Sequence, residues 1–168
     1  MGIIRSYFVH KIAPNMPSKI CSLILKKAGL KNSEFIRNKT YIENIDALIV
    51  GNNTFINKYC RLHNGFDSKN KESYIIIGNN VTIGYGTTII TSTHEIGSTK
   101  YRADFRKIQY KPVKIGDGTW ICANCVILPG ARIGNGCVIA AGSVVIDDCV
   151  DNGLYGGNPA KLIKMLDT

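Results

Sequence analysis

The chain has 168 residues with 21 Lys and Arg against 12 Asp and Glu, so its formal net charge is +9. With 45% hydrophobic and 20% charged residues, the composition favours one folded domain with a buried core and excludes a largely disordered protein. No uninterrupted apolar run approaches the roughly 20 residues of a membrane span. The sequence also opens without a signal-peptide pattern. We therefore expect a cytoplasmic protein.

The first 40 residues carry no internal repeat and are predicted to form a short helical cap. Apolar residues recur at helical spacing at Ile20 and Leu23, and Gly29 then supplies a helix stop signal. Such a cap would cover the open edge of a repeat array, which could otherwise pair with another chain. Because basic residues accompany the segment, contact of residues 1–30 with a membrane surface is the alternative.

From residue 41 onward, an aliphatic residue recurs every six positions, a period that fits neither an α-helix nor an isolated strand. A small or β-branched residue follows four positions later. The aliphatic positions are Val50, Ile56, Leu62, Ile77, Ile83, Ile89, Ile115, Ile121, Ile127, Ile133, Ile139 and Val145. The small positions are Thr54, Cys60, Val81, Thr87, Thr119, Cys125, Ala131, Cys137, Ser143 and Cys149.

A period of six indicates short strands joined by regular corners. Three hexapeptides would close one triangular coil, and coils stacked at about 4.8 Å would pair their backbones with the coils above and below. The sequence therefore predicts an all-β solenoid, a parallel β-helix over residues 41–168. The spacing alone does not set the hand of the coil.

Two insertions, at residues 63–76 and 95–112, interrupt the period and are predicted to project as loops. Chemistry in solenoid proteins tends to reside on such loops. After the last repeats, we expect a C-terminal cap segment.

Six cysteines raise the question of disulfide or metal chemistry. Cys122 and Cys125 form a CxxC pair, which could bind zinc or act in redox chemistry. The repeat gives another explanation, because four of the six cysteines lie at its small positions. We expect structural thiols and no metal.

The segment from Lys114 to Gly134, the Ala-Gly-Ser-Val-Val run from Ala141, and the Gly-Asn-Pro-Ala-Lys run that ends at Lys161 resemble the hexapeptide-repeat acyltransferases. Within that family the chain is most similar to sugar O-acetyltransferases of the galactoside, maltose and capsular or lipopolysaccharide type. The resemblance implies a left-handed β-helix, a homotrimer, acetyl-CoA as co-substrate and a sugar or polysaccharide precursor as acceptor. It also implies that the second insertion covers a neighbouring subunit's active site.

His94 is the candidate catalytic residue. Transfer of an acyl group from a thioester to a hydroxyl needs a base with a pKa near 7, and imidazole fits that need. His94 opens the second insertion and matches the catalytic histidine of the family. Glu95 could orient the ring, but adjacent strand residues usually point to opposite faces, so a backbone carbonyl is the alternative.

The resemblance also carries over a set of positions for the acyl donor. Trp120 matches an aromatic residue beside the donor cleft, although an exposed or intersubunit face would explain it equally well. The N–H of Ala123 matches the donor to the developing oxyanion. Ala141 and Ser143 match the segment beside the pantetheine arm, and Lys161 belongs to the segment near the adenine end.

For the acceptor, Asn57 matches an asparagine that contacts the acceptor sugar and lies near the histidine, and Asp67 in the first insertion could bind a sugar hydroxyl. One departure concerns the donor. Many relatives have Thr-Lys-Asp where this chain has Ile146-Asp147-Asp148. Asp147 therefore replaces a cation that lies near the phosphates of the cofactor, which leaves two carboxylates there. We expect weaker phosphate binding unless another basic residue compensates.

The sequence as a whole predicts an acetyl-CoA-dependent O-acetyltransferase that acts on a sugar hydroxyl in cell-surface polysaccharide biosynthesis. Acetylation of an amino-sugar nucleotide on nitrogen, acetylation of an antibiotic and a non-catalytic β-helix scaffold are the alternatives. The basic residues are scattered rather than grouped on one element, and nothing resembles a nucleic-acid-binding module, so nucleic acid is not an expected partner. Attraction of anionic CoA or an acidic saccharide explains the charge better.

Overall fold

The computed structural model describes residues 15–27, 29–32, 35–65, 71–104 and 106–167. Candidate residue Asp67 and the first 14 residues of the predicted cap lie outside these ranges. The described ranges hold one α-helix, α1 (Ser18–Lys27), and short 3-10 turns at Ile45–Ala47 and Lys71–Ser73. Their strands are β1 (Tyr41–Ile42), β2 (Leu48–Val50), β3 (Phe55–Ile56), β4 (Arg61–His63), β5 (Ile75–Ile77), β6 (Thr82–Ile83), β7 (Thr88–Ile90), β8 (Ser92–His94), β9 (Ile108–Tyr110), β10 (Val113–Ile115), β11 (Trp120–Ile121), β12 (Val126–Ile127), β13 (Arg132–Ile133), β14 (Val138–Ile139), β15 (Val144–Val145), β16 (Gly153–Gly157) and β17 (Ala160–Met165).

The strands stack into three sheets that the chain visits in rotation. The first sheet has the order β1-β4-β7-β12-β15, the second β2-β5-β10-β13, and the third β3-β6-β11-β14-β16-β17. Neighbours within each sheet are parallel, except that β17 turns back antiparallel on β16. Equivalent repeat positions pair in register, since Ile127 lies between Ile89 and Val145. The predicted parallel stacking of hexapeptide strands is thus confirmed.

The interior of the coil consists of the residues that define the period. All twelve aliphatic repeat positions are buried, none more than 6% exposed. Full burial of one such side chain contributes roughly 1.5–3 kcal/mol, so the stacked columns of isoleucine and valine supply most of the apolar core. The ten small positions are buried as well.

The small positions also bond successive coils together. The Thr119 hydroxyl donates to the carbonyl of Gly134 at 2.8 Å, and the Cys125 thiol donates to the carbonyl of Ala140 at 3.2 Å. Threonine and cysteine therefore serve the same purpose, because each is small enough for the corner and satisfies a carbonyl of the next coil. This contact explains the abundance of cysteine in the repeats.

The cysteine thiols stay protonated at neutral pH. Burial raises the pKa of Cys60 to about 11, and burial together with nearby anionic groups raises the pKa of Cys149 to about 12. The pKa values of Cys122 and Cys125 are also raised, chiefly by burial. Across the described part of the chain, no three His, Cys, Asp or Glu side chains converge where a metal ion could bind.

Glycine follows many of the aliphatic positions because the coils approach closely there. A Cβ added at Gly84 would lie 2.5 Å from the carbonyl carbon of Cys122 and 2.6 Å from the nitrogen of Ala123. A Cβ at Gly116 would lie 2.6 Å from the carbonyl carbon of Gly134. The repeat therefore needs glycine for its missing side chain at these positions.

A ladder of asparagine and aspartate side chains runs along the corner between the second and third sheets. The Asn79 N–H donates to Asp117 at 2.8 Å, the Asp117 N–H to Asn135 at 2.9 Å, and the Asn135 N–H to Asp151 at 2.8 Å. The backbone and side-chain N–H groups of Asn79 stabilise the ionised carboxylate, which lowers the pKa of Asp117.

The helix and the segment after it cover the first coil. Helix α1 buries Cys21 and Leu25, and Ile36 forms a parallel bridge with Ile56 of the third sheet. Asn32 ties the segment to the second sheet by donating its side-chain amide to the carbonyl of Val50 at 2.8 Å. No helix within the described ranges has the length and apolar character needed to cross a bilayer.

Both insertions leave the coil at the corner between the first and second sheets, one coil apart. We call it the His94 corner, and its described residues are 64–65, 71–74, 91–104 and 106–112. Strand β8, which comes directly before the second insertion, pairs antiparallel with β9 inside it, so the projecting hairpin begins three residues before the predicted start at 95. The insertions meet at Gly65, where a Cβ would lie 2.6 Å from the ring of Tyr110.

Candidate functional site

His94 is the last residue of β8, and its side chain is exposed. Its Nδ1 lies 3.0 Å from the carbonyl oxygen of Asp104 and 3.3 Å from that of Lys107. Because a carbonyl oxygen can only accept a hydrogen bond, Nδ1 carries the proton of the neutral ring. Nε2 then keeps its lone pair, which is the state a general base requires.

The turn that presents these carbonyls is held by its own hydrogen bonds. The Lys107 N–H donates to the carbonyl of Asp104 at 2.9 Å, and the carboxylate of Asp104 pairs with the Nε of Arg106 at 2.9 Å. Hydrogen bonds from Arg106 lower the pKa of Asp104. The carboxylate of Asp104 therefore stays ionised at neutral and mildly acidic pH, and its pairing with Arg106 keeps the turn in place.

A cavity of about 130 Å³ lies beside this turn, lined by Glu95, Gly97, Tyr101, Asp104 and Lys107. Two of these residues also supply the carbonyls that hold the His94 ring. Among the described residues, Glu95 makes no hydrogen bond to the ring. Of the two alternatives for ring orientation, the backbone carbonyl is therefore the one observed.

Three other predicted site residues lie together at a different corner. Asn57, Ala123 and Ala141 occupy the four-residue turns that lead from the third sheet back to the first, in the first, third and fourth of four stacked turns. We call this the Ala123 corner, and it comprises residues 57–60, 84–87, 122–125 and 140–143. The Ala123 carbonyl accepts from the N–H of Gly142 at 2.9 Å. Within the described part of the chain, the N–H of Ala123 has no acceptor.

The remaining predicted site residues differ in how far their side chains are exposed. Trp120 lies on the outer face of the third sheet, half exposed, between Thr82 and Val138. Lys161 is exposed on β17. Ser143 is buried, and its hydroxyl donates to the carbonyl of Ala140 at 2.6 Å. That hydroxyl also accepts from the N–H of Gly157 at 3.2 Å, so it joins the turn to the C-terminal strand β16.

Tyr59 and Tyr85 were not expected as site residues from the sequence. Both lie at the Ala123 corner, each 46% exposed, with ring centroids 5.0 Å apart. Tyr59 adopts a left-handed backbone with φ of 61°, which is uncommon for an aromatic residue. The signal in the sequence is an aromatic residue at the same corner of two consecutive coils, where small or polar residues are usual.

The His94 corner and the Ala123 corner are different edges of one triangular coil, separated by the first sheet. A single chain therefore does not bring the base next to the Ala123 N–H. Asn57, Tyr59 and Tyr85 lie with Ala123, whereas the 130 Å³ cavity lies with His94. The expected position of Asn57 near the histidine is therefore not found within one chain, because the first sheet separates the two corners.

Comparison with known proteins defines the class. Residues 112–147 match the model of the family described as bacterial transferase hexapeptide (six repeats). WbbJ of Escherichia coli (strain K12), a candidate lipopolysaccharide biosynthesis O-acetyl transferase, is 31% identical, and the match covers 84% of each chain. The chain belongs to the hexapeptide-repeat acetyltransferases.

Solved structures give the same fold. The maltose O-acetyltransferase from Clostridium difficile 630 superposes with a TM-score of 0.76 and 28% identity, covering 95% of this chain and 83% of that protein. A hexapeptide-repeat acetyltransferase of Vibrio cholerae, complexed with acetyl-CoA, has a TM-score of 0.72 and 26% identity, with 98% and 85% covered. Two other curated relatives match over about half of this chain, and the chain spans only 44% and 46% of their length.

Proposed function

We propose that the protein is an acetyl-CoA-dependent O-acetyltransferase that modifies a sugar hydroxyl and uses His94 as its general base. The observation that carries the proposal is the pair of carbonyl contacts at Nδ1, 3.0 Å and 3.3 Å long. They fix the tautomer in which Nε2 is free to accept a proton. Membership of the acetyltransferase family supports acetyl-CoA as the acyl donor.

In the proposed reaction, Nε2 of His94 removes the proton of the acceptor hydroxyl as that oxygen attacks the thioester carbonyl. The N–H of Ala123 donates to the tetrahedral oxyanion, a role that requires no side chain. The carbon–sulfur bond then breaks, and CoA leaves as the thiol after it takes the proton from the imidazolium. The acceptor carries the acetyl ester.

The proposal includes a left-handed coil and a homotrimer. Because His94 and Ala123 lie on different edges of one coil, the reacting groups can meet only if the His94 corner of one subunit packs beside the Ala123 corner of the next. The long second insertion would then cover the shared site. In a closed ring of three subunits, each His94 corner packs beside the Ala123 corner of a neighbour, so every subunit takes part in two such contacts.

The shared site can be tested by complementation between two defective variants, His94→Ala and Gly84→Ala. The first removes the base, and the second displaces the backbone of Ala123. If each site uses one corner from each of two subunits, randomly mixed trimers should recover about a quarter of wild-type activity. Recovery of none would contradict a site shared between subunits.

For the acyl donor, Trp120, Ala141 and Lys161 offer an exposed aromatic ring, an exposed small residue and a cation on the third-sheet side. The Vibrio cholerae acetyltransferase was solved with acetyl-CoA, which supports the same donor here. Asp147 and Asp148 are exposed, and we expect them to weaken the binding of the CoA phosphates. Their replacement by lysine should tighten CoA binding.

For the acceptor, we propose a sugar of a cell-surface polysaccharide. The exposed faces of Tyr59 and Tyr85 can stack on the apolar face of a sugar ring. Asn57 belongs to the same turn as Tyr59, two positions before it in the chain. The names of two relatives, a maltose O-acetyltransferase and a candidate lipopolysaccharide O-acetyl transferase, support the same class of acceptor.

The experiment is acetyl transfer from acetyl-CoA to a panel of sugars, amino-sugar nucleotides and oligosaccharides, followed by mass spectrometry and mild alkali. An O-acetyl ester is lost in alkali, whereas an N-acetyl amide survives. We expect alkali-labile product from a sugar acceptor. An alkali-stable product, or acetylation confined to amines, would overturn the proposed O-acetylation.

A further inference from the structure

The outward face of helix α1 is both basic and apolar. Cys21 and Leu25 point into the core. At 100° per residue, the five side chains opposite them fall within an arc of about 120°. All five are exposed: Lys19, Ile20, Leu23, Lys26 and Lys27.

The apolar members of this face are well exposed, since Ile20 is 47% and Leu23 53% accessible. No acidic residue occurs in the helix, and its last turn ends in Lys26 and Lys27. The face thus combines apolar side chains, which water disfavours, with ammonium groups on long flexible stems. Lysine stems can lie along apolar surface while the charged ends reach outward.

Charge is distributed very unevenly along the chain. Residues 1–40 hold eight Lys or Arg and one Glu, so they carry +7 of the total +9. Residues 41–168, with thirteen basic and eleven acidic residues, carry only +2. The described basic residues of this part lie on α1 and on the segment after it, at the end of the coil that α1 covers: Lys19, Lys26, Lys27, Lys31, Arg37 and Lys39.

We propose that this outward face of α1 binds the surface of an anionic lipid bilayer. Ile20 and Leu23 would enter the boundary between headgroups and acyl chains, while Lys19, Lys26 and Lys27 contact lipid phosphates. The ten residues of α1 are too few to cross a bilayer, so the contact is peripheral. A second copy of the chain is a poor occupant, because two faces of the same positive charge repel each other.

The position of α1 gives this contact a consequence for the site. The helix covers the first coil, and His94 follows β7 in the third coil, so two coil spacings of about 4.8 Å separate the two coils along the axis. Membrane contact would hold the His94 corner near the headgroups, within reach of a sugar carried on a lipid. This consequence rests on the proposed function, whereas the binding of vesicles does not.

The test is co-sedimentation of the full chain with vesicles of phosphatidylcholine alone and of phosphatidylcholine mixed equally with phosphatidylglycerol. One variant, Lys19→Gln/Lys26→Gln/Lys27→Gln, removes the charge. A second variant, Ile20→Ser/Leu23→Ser, removes the apolar contact. The matched control is Ile163→Ser on β17, where the side chain is 62% exposed at the opposite end of the coil.

We expect binding to the anionic vesicles only, with weaker binding at high salt. Each lysine near an anionic surface is worth about fivefold in affinity, so the triple variant should bind on the order of 10²-fold more weakly. The apolar variant should lose about tenfold or more, and the control should bind as the wild type does. Circular dichroism checks that each variant is folded.

Two results would overturn the proposal. One is absence of vesicle binding, or binding that both α1 variants leave unchanged. The other is loss of binding in the lysine variant alone, with the Ile20→Ser/Leu23→Ser variant unaffected and a soluble polyanion such as heparin binding equally well. That second pattern would identify the face as a site for a soluble anionic polymer.

Discussion

Replacement of Gly84 by alanine tests the close approach of neighbouring coils and its importance for the site. The added Cβ would lie 2.5 Å from the carbonyl carbon of Cys122 and 2.6 Å from the nitrogen of Ala123, where ordinary contact begins at 3.4 Å. The neighbouring coil must therefore move by about 0.9 Å. Both atoms belong to backbone, so no flexible side chain can absorb the clash.

The expected cost has two parts. Overpacking in a tightly packed interior costs about 1–3 kcal/mol. The hydrogen bond from the Gly84 N–H to the carbonyl of Ile121, 2.7 Å long, would also be weakened, at about 1 kcal/mol. We expect Gly84→Ala to lower the free energy of unfolding by about 3 kcal/mol in total.

The matched control is Gly118→Ala. Gly118 has a φ of +66°, but an added Cβ there would meet nothing closer than 4.0 Å. That variant pays only for a left-handed backbone, about 1 kcal/mol. Urea unfolding measures the free energy of unfolding of both variants, provided that the slope against denaturant concentration is unchanged. Gly118→Ala then reports the cost of backbone strain, and Gly84→Ala reports the cost of the steric clash.

The same variant should affect catalysis beyond its effect on stability. A shift of about 1 Å in a positioned group can cost about 10²-fold in rate, and the shifted group here is the N–H proposed to bind the oxyanion. Rates are measured at a temperature where the variant is folded. The reasoning is refuted if Gly84→Ala is no more destabilising than Gly118→Ala, or if folded Gly84→Ala retains the wild-type rate.

Three further predictions concern the scaffold. Ile127→Ala should lower the free energy of unfolding by about 3 kcal/mol, against under about 1 kcal/mol for half-exposed Ile49→Ala, as chemical denaturation can measure. Because the folded-state pKa of Asp117 is lowered, its stabilisation is complete above the unfolded pKa near 3.9 and is lost as pH falls through the folded value. When the pH is lowered below about 4, the free energy of unfolding should therefore fall less for Asp117→Asn than for the wild type. An equal fall in both proteins would contradict this prediction. Since burial keeps Cys60 and Cys149 as neutral thiols, iodoacetamide at pH 7.5 should modify them only after unfolding, which peptide mapping would reveal.

The sequence was sufficient to predict the scaffold because the repeat encodes it directly. A buried aliphatic residue every six positions requires short strands that wind around one shared interior, and all twelve residues are buried there. The role of the cysteines also followed from position, although the thiol contact to the next coil, as at Cys125, became evident only from the structure.

The site was less predictable, because its parts come from separate corners and from an insertion without periodicity. The carbonyls that orient His94 belong to Asp104 and Lys107, ten and thirteen residues away along the chain. No side-chain pattern encodes a backbone carbonyl. Tyr59 and Tyr85 lie 26 positions apart in sequence and become neighbours only through the stacking of coils.

The burial of Ser143 had a readable signal, because it occupies a small position of the repeat like Thr87 and Thr119. The resemblance matched Ser143 to a segment in which small residues let the cofactor approach the backbone. It therefore predicted no role for the Ser143 hydroxyl. Asp67 remains a prediction, since it lies outside the described residues.

The central claim is that His94 removes the proton of the acceptor. The most direct measurement compares CoA release from acetyl-CoA in the wild type, His94→Ala and the matched neighbour Glu95→Ala, with acetyl-CoA binding measured separately. Loss of a general base should lower kcat by about 10²-fold to 10⁴-fold while acetyl-CoA binding is kept, and Glu95→Ala should stay within a few fold of the wild type. Acceptor-dependent release at the wild-type rate in folded His94→Ala would contradict the account.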